Sequence, residues 1–239
     1  MGRVLEVDNI DVYYGELQAL WGVSLHIEEG EFISLVGSNG AGKTTLFNLI
    51  TGFLKPDRGK VYFNDKDITG WPPHRIALEG VARTFQLVKP FLRMTALENV
   101  MISALSKVGG LEEAEETALE LLEFLSLSDK RDWRASSLTI VERKKLEVAR
   151  ALALKPEVLL LDEPIAGLNP KEVDDMLETL REIRKRGVTI LIVEHVMRAI
   201  MNICERIIVM HYGRLIAEGT PSEISSDPKV IEAYLGGVI

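Results

Sequence analysis

The sequence predicts an α/β fold with a mainly parallel central sheet, an N-terminal antiparallel β part and a helical insertion. Three observations carry this. In the second half, short apolar runs alternate with helical patterns, the order that a covered parallel sheet requires. The first third alternates apolar and polar residues with period two. Between them, from Thr95 to about Leu127, the pattern turns helical and acidic.

Taken in order, "RVLEVDNIDVYY" and "GVSLHIEEGEFISLVG" read as strands, with "EEG" as a turn. "TTLFNLITGFL" follows as a helix, its Leu46, Leu49, Ile50 and Phe53 at helical spacing. "GKVYFNDKDI" reads as a hairpin, and "LEEAEETALELLEFL" as a helix with a solvated acidic face. "SSLTIVERKKLEVARAL", Ser136 to Leu152, is a helix start followed by a basic amphipathic helix. "EVLLLDEP" and "VTILIVEH" are buried strands around the helix "PKEVDDMLETLREIRKRG", with proline near its start and glycine after its end. "MRAIMNICE" is helical, and "RIIVMHYGRLIAEG" is two strands about a Tyr-Gly turn. The expected organisation is a single domain over 1–239. Its core comprises 1–90 and 155–225, its helical subdomain about 91–154, and its tail 226–239.

The composition sets limits. With 239 residues, 46% hydrophobic and 27% charged, the chain can bury a sizeable core. A net charge of −8 argues against broad nucleic-acid binding through a basic surface. The single Cys204 rules out an intramolecular disulfide and any multi-cysteine metal site, and reads as a small core residue. No run approaches the ~20 apolar residues that span a bilayer. "MGRVLEVDNI" lacks a signal-peptide hydrophobic region. The expectation is a soluble, cytoplasmic chain.

Chemistry concentrates in a few places. "GSNGAGKTT" (Gly37, Ser38, Asn39, Gly40, Ala41, Gly42, Lys43, Thr44, Thr45) fits G-x-x-x-x-G-K-[ST] between an apolar strand and a helix. Glycines let the backbone wrap phosphate oxygens, and N–H groups converge at a helix N-terminus that favours anions. Lys43 supplies charge to the β- and γ-phosphates, and the Thr44 hydroxyl is a Mg²⁺ ligand. Asp162 ends a buried strand, where α/β sheets place ligands, and its carboxylate can hold Mg²⁺ directly or through water. Glu163 beside it is placed to orient or deprotonate a water attacking the γ-phosphate. Together these predict a P-loop NTPase core that takes a nucleotide and Mg²⁺. Gln86, in "VARTFQ", has two readings, a Mg²⁺ or water ligand and a surface glutamine at a strand end. His195 after "ILIVE" reads as a γ-phosphate contact or a satisfied buried histidine. "NDKD" at 64–67 has the letters of a guanine-reading motif in the wrong order and reads as a turn.

In order and spacing, Tyr14, "GSNGAGKTT", Gln86, the Ser136–Leu152 stretch, "LLLLDEP", "AGLNP" and His195 resemble the nucleotide-binding subunits of ABC transporters, from about Val4 to Gly219. "PPHRIALEGVARTFQ", "VEH", "GRLIAEGTPSEI" and "DPKVIEAYLG" look most like the ATPases of branched-chain (hydrophobic) amino-acid importers. Lipopolysaccharide- and urea-transport ATPases share much of this text. The resemblance implies the ABC ATPase fold and ATP hydrolysis coupled to transport. It makes Tyr14 the aromatic that stacks on adenine, and Gln86 the link from Mg²⁺ and water to a membrane-domain contact. Glu163 becomes the catalytic base and His195 the switch on the γ-phosphate. The partners implied are a second ATP-binding subunit, identical or not, and transmembrane permease subunits. The location implied is peripheral, on the inner face of the cell membrane. Phe85, Leu87, Phe91 and Leu92 are apolar candidates to line the permease groove. Relatives that act on nucleic acid or ribosomes typically carry two ATPase units or long basic insertions. This chain has one unit, so no nucleic acid is expected.

The resemblance also frames the Ser136–Leu152 stretch. In that family two subunits sandwich two ATP molecules, each between one phosphate loop and the other subunit's L-S-G-G-Q signature. Here Leu138-Thr139-Ile140-Val141-Glu142 stands on that signature without either glycine. The helix start still presents N–H groups, and Thr139 still carries a hydroxyl. Val141 limits the approach of phosphate to backbone. Glu142 adds negative charge unless Arg143 or Lys144 screens it. The expectation is a diverged signature that weakens the partner's site; a tolerated variant with full function, scaffolding without nucleotide contact, and a weakly hydrolysing regulatory half of a heterodimer are the other readings. "AGLNP" carries Asn169 where aspartate is more common in the family.

Overall fold

A computed structural model describes residues 2–235. The first sheet is antiparallel, in the order β2-β1-β4-β5, formed by β1 (Arg3–Tyr14), β2 (Leu17–Glu28), β4 (Arg58–Phe63) and β5 (Lys66–Asp67). Its alternation is not strict. Leu5 and Val7 face inward, and a strict period of two would next bury Asn9. Asn9 instead adopts a positive φ of 48°, within a register shift against β2, and donates its N–H to Ser24 Oγ at 2.9 Å. The extra residue of this bulge resets the parity, so that Ile10 and Val12 point into the core.

The second sheet has the order β10-β9-β3-β8-β7-β6. Its members are β3 (Phe32–Gly37), β6 (Val81–Arg83), β7 (Val158–Asp162), β8 (Thr189–Val193), β9 (Arg206–His211) and β10 (Arg214–Gly219). All neighbours run parallel except β10 and β9. Strands β7 and β8 are buried along their whole length, which explains their unbroken apolar runs. The chain crosses from one sheet to the other at the Glu29-Gly30 turn, where Gly30 has φ +76°. β2 and β3 are thus consecutive in sequence but belong to different sheets.

Successive residues of the parallel strands feed two cores. Val158, Leu160, Leu191, Val193 and Ile208 face the antiparallel sheet and helix α1 (Lys43–Ile50), with Phe47 of α1 fully buried between the layers. Burying one such side chain contributes roughly 1.5–3 kcal/mol. Leu159, Leu161, Ile190, Ile192 and Val209 face the opposite side and pack with the helices. These are α3 (Ala96–Ala104), α4 (Leu111–Phe124), α5 (Ile140–Leu152), α6 (Pro170–Lys185) and α7 (Met197–Ile203). Helix α8 (Pro221–Ser226) and helix α9 (Pro228–Leu235) close the described chain, so the last four residues of the 226–239 tail lie outside the described residues.

Two sequence readings change. The α1 helix stops at Ile50, because Gly52 takes φ +77° and a Cβ there would meet Trp71 O at 2.3 Å. Phe53 therefore leaves the helical face and is 56% exposed, set edge-on to Phe85 with ring centroids 5.6 Å apart. The stretch "PPHRIALEG" forms a helix, α2 (Pro73–Glu79), which the periodicity did not indicate; Pro73 opens it and Ile76 is its buried anchor. "NDKD" is the turn expected, with Asn64 and Asp65 both at positive φ.

Candidate functional site

The phosphate loop runs from the end of β3 to the start of α1. Two of its glycines are required by close packing. A Cβ on Gly37 would lie 2.4 Å from Met210 O, and one on Gly42, at φ +105°, would lie 2.8 Å from Leu20 Cδ2. Lys43 folds over the loop and donates to Gly37 O at 2.7 Å and Ser38 O at 3.0 Å. Burial pushes its pKa down, against the pull of Glu163 and Asp162. An ammonium that is part-desolvated and held by neutral carbonyls is poised to take a stronger anionic partner.

The loop floors a cleft of 580 Å³ that also reaches Gln86, Asp162, Glu163, Leu17, Trp21 and Tyr212. That volume suits a ligand of nucleotide size. Tyr14, at the end of β1, is 50% exposed and is not among the residues lining the cleft. Tyr212, which no sequence motif singled out, stands at its wall. The adjoining Gly213 locks that turn onto the loop by donating to Ala41 O at 2.9 Å.

Asp162 and Glu163 are consecutive but sit in different settings. Asp162 ends β7 with its side chain 5% exposed, and Oδ2 accepts from Arg83 Nη2 at 2.9 Å. Arg83 also donates to Asn48 Oδ1 at 2.6 Å and to Thr84 O at 3.3 Å, which spreads its planar fork over three elements. Burial pushes the Asp162 pKa up, and the hydrogen bond and charge of Arg83 oppose that rise. Arg83 was missed from sequence, where it is one more basic residue in "VARTFQ".

Glu163 follows the strand in a left-handed conformation, φ 50°. Oε2 accepts from Gln86 Nε2 at 3.1 Å, and Oε1 lies 3.9 Å from His195 Nδ1. The structure thus gathers Gln86, Glu163 and His195 from three separate strand ends. The backbone under His195 is held by Glu194, a buried carboxylate that accepts from Ile165 N at 2.9 Å and His195 N at 3.2 Å.

Thr139 caps α5. Its hydroxyl accepts from Glu142 N at 3.3 Å, while Glu142 accepts from Thr139 N at 2.9 Å, a reciprocal capping box. The N–H groups of Ile140 and Val141, in the first turn, have no partner within the helix. Glu142 is screened, though not by the residues expected. Lys130 forms its ion pair, Arg143 turns back to Ala135 O and Ser136 O, and Lys144 donates to Glu163 O at 2.9 Å. Asn169 caps α6 through Lys171 N and Glu172 N, both at 3.1 Å.

The donor set fits a hard cation: the Thr44 hydroxyl, the second oxygen of Asp162 and the Gln86 amide oxygen are all oxygen ligands. Among the described residues no group of three or more His, Cys, Asp or Glu can hold a metal alone. A cation held there would need further ligands from phosphate or water.

A phosphate loop, a buried aspartate and a glutamate bracketed by glutamine and histidine form one cleft, and the family follows from comparison. The ABC transporter family model matches residues 20–166. The chain belongs to the ABC transporter family. A second model, the branched-chain amino acid ATP-binding cassette transporter, matches residues 214–238. The high-affinity branched-chain amino acid transport ATP-binding protein BraF of Pseudomonas aeruginosa is 40% identical over 98% of both chains. LivG of Salmonella typhimurium, described in the same terms, is 41% identical over 98% of both. Among solved structures, the ADP conformation of MJ1267, an ATP-binding cassette of an ABC transporter, superposes with TM-score 0.90 at 38% identity, covering 99% of this chain and all of that one. The dimeric post-hydrolysis state of the cassette MJ0796, bound to ADP and Pi, does so with TM-score 0.82 at 28% identity over 91% of this chain and 98% of that one. The fold is therefore that of an ABC ATPase, and the chemistry is ATP binding and hydrolysis serving transport. No described helix is long and apolar enough to cross a membrane.

Proposed function

We propose that this chain is the ATP-hydrolysing subunit of an importer for branched-chain or other hydrophobic amino acids, docked on the cytoplasmic face of a permease. The observation that carries the chemistry is Glu163, held between Gln86 and His195 beside the phosphate loop. ATP phosphates lie along the loop N–H groups, with Lys43 turning from its two carbonyls to the β- and γ-phosphates. Thr44, Asp162 and Gln86 would hold Mg²⁺, which neutralises phosphate charge when bound. Glu163 takes a proton from the attacking water, Gln86 fixes that carboxylate, and His195 meets the γ-phosphate. Tyr14 is the residue the family pattern assigns to stacking on the base, and Trp21 and Tyr212 are aromatics that line the cleft. Two copies, or this chain and a similar subunit, close on two nucleotides, with Thr139 and the first-turn N–H groups of α5 facing the partner's phosphate. The 91–154 segment moves as the helical part of a single cassette.

The substrate assignment rests on near-full-length relatives whose names specify branched-chain amino acid transport. The test is leucine uptake in cells that lack the chain and in cells complemented with it or with Lys43→Ala. Uptake restored only by the intact chain supports the assignment. Uptake indifferent to the chain contradicts it, and lipopolysaccharide or urea transport is then tested the same way.

A further inference from the structure

Helix α5 carries three charged residues at successive three-residue steps, Lys144, Glu147 and Arg150, which places them along one side of the helix. None touches a reacting atom, yet Glu147 is 6% exposed and Lys144 is 9% exposed. Buried charges persist where hydrogen bonds and opposite charge compensate them; here the hydrogen-bond partners are backbone groups, and Arg150 Nη1 lies 4.0 Å from Glu147 Oε1. The Glu147 carboxylate accepts from Lys89 N at 2.6 Å through one oxygen and from Phe85 N at 3.4 Å through the other. Arg150 Nη1 donates to Lys89 O at 3.2 Å, so both polar groups of the Lys89 residue are gripped from two turns of one helix. Lys144 reaches in the opposite direction to Glu163 O at 2.9 Å. Thr84 N still donates to Leu160 O of β7 at 2.9 Å, but beyond it the chain has left the sheet, and Phe85 N and Lys89 N find their acceptor on α5.

We propose that Glu147 and Arg150 are positioning residues that clamp the Gln86 segment to α5. Through this clamp, movement of the exposed Phe85–Leu92 surface reaches Glu163 by way of Lys144, and reaches the Thr139 end of the helix that serves the partner's nucleotide. The transmission half of this proposal rests on the function proposed above; the clamp itself does not. An apolar residue at 147 would leave the amides of Phe85 and Lys89 without that acceptor. Glutamine at 147 offers one acceptor oxygen where two amides wait.

The test uses the full chain and amide hydrogen exchange read by mass spectrometry, with and without Mg-ATP. Glu147→Gln is expected to speed exchange across residues 85–89 by about tenfold or more, the loss of one charge-assisted hydrogen bond. It is also expected to speed exchange at residues 139–143, four residues and more along α5. In steady-state ATPase assays kcat falls about tenfold while KM for ATP stays within about twofold, the pattern of a lost transition-state arrangement. Glu147→Gln combined with Arg150→Met falls no further than the stronger single change, since both grip one residue. Lys89→Pro deletes the same N–H from the exposed loop without altering α5, and it lowers kcat in the same way. Unchanged exchange at 85–89 overturns the clamp. Faster exchange there with residues 139–143 and kcat unmoved overturns the transmission. A wild-type chain without ATPase activity sinks the hydrolysis reading alone, because the two exchange readouts still decide the clamp and its reach.

Discussion

Arg83→Met removes the cation paired with the buried Asp162 side chain, and the expected consequence is a large loss of stability. The pair is 2.9 Å long with side chains 6% and 5% exposed, and the same guanidinium satisfies Asn48 Oδ1 at 2.6 Å. Deleting one member of such a pair leaves an uncompensated buried charge and costs about 3–5 kcal/mol, far beyond the ~0–1 kcal/mol of an exposed ion pair. For a chain of this length that corresponds to a fall in Tm of roughly 6–20 °C. Calorimetry on Arg83→Met, Arg83→Lys and Arg83→Met/Asp162→Asn provides the assay. Lysine recovers part of the loss, because a point charge reaches Asp162 but cannot fork to Asn48 and Thr84 as well. The double variant recovers more, because the stranded charge is gone. A fall in Tm of only about 2–4 °C for Arg83→Met, the equivalent of about 1 kcal/mol, would refute the reasoning by showing the pair to be hydrated.

Other expectations follow from single contacts. Gly37→Ala drives a methyl to within 2.4 Å of Met210 O, so the loop must shift; fluorescent-ATP titration is expected to show binding weakened at least about tenfold. Thr139→Ala breaks the capping box of α5 and lowers stability by about 1 kcal/mol in urea unfolding, with no change at the chain's own phosphate loop. Val141→Gly lets phosphate approach the helix start more closely, and ATPase turnover at high protein concentration is expected to rise; an unchanged rate shows that the diverged signature already serves fully.

The local features were the ones legible in the chain. Gly37 to Thr45 is read from adjacent residues, and both its ends, an apolar strand and a helix, lie within a few positions. The buried strands β7 and β8 announce themselves by unbroken apolar runs. Pairings between distant residues were not legible. Arg83 and Asp162 are 79 positions apart, and nothing in "VARTFQ" marks that arginine as buried. Lys130 neutralises Glu142 from a short 3₁₀ helix (Ser128–Lys130) 12 residues away, whereas sequence proximity favours Arg143 and Lys144. Asn9 breaks the strand period by one residue because a bulge, not the alternation, sets the parity of β1. Phe53 sits at helical spacing, yet the left-handed Gly52 ends the helix first.

The central claim is that Glu163 removes the proton from the water that attacks ATP. Its most direct test is steady-state hydrolysis of Mg-ATP by the full chain at high concentration, beside Glu163→Gln, with nucleotide affinity measured in parallel. The account predicts hydrolysis by the wild type, a fall in kcat of about 10²–10⁴ in the variant, and ATP binding within about twofold of wild type. A variant that hydrolyses as fast as wild type, or a wild type that binds ATP without turning it over, would contradict it.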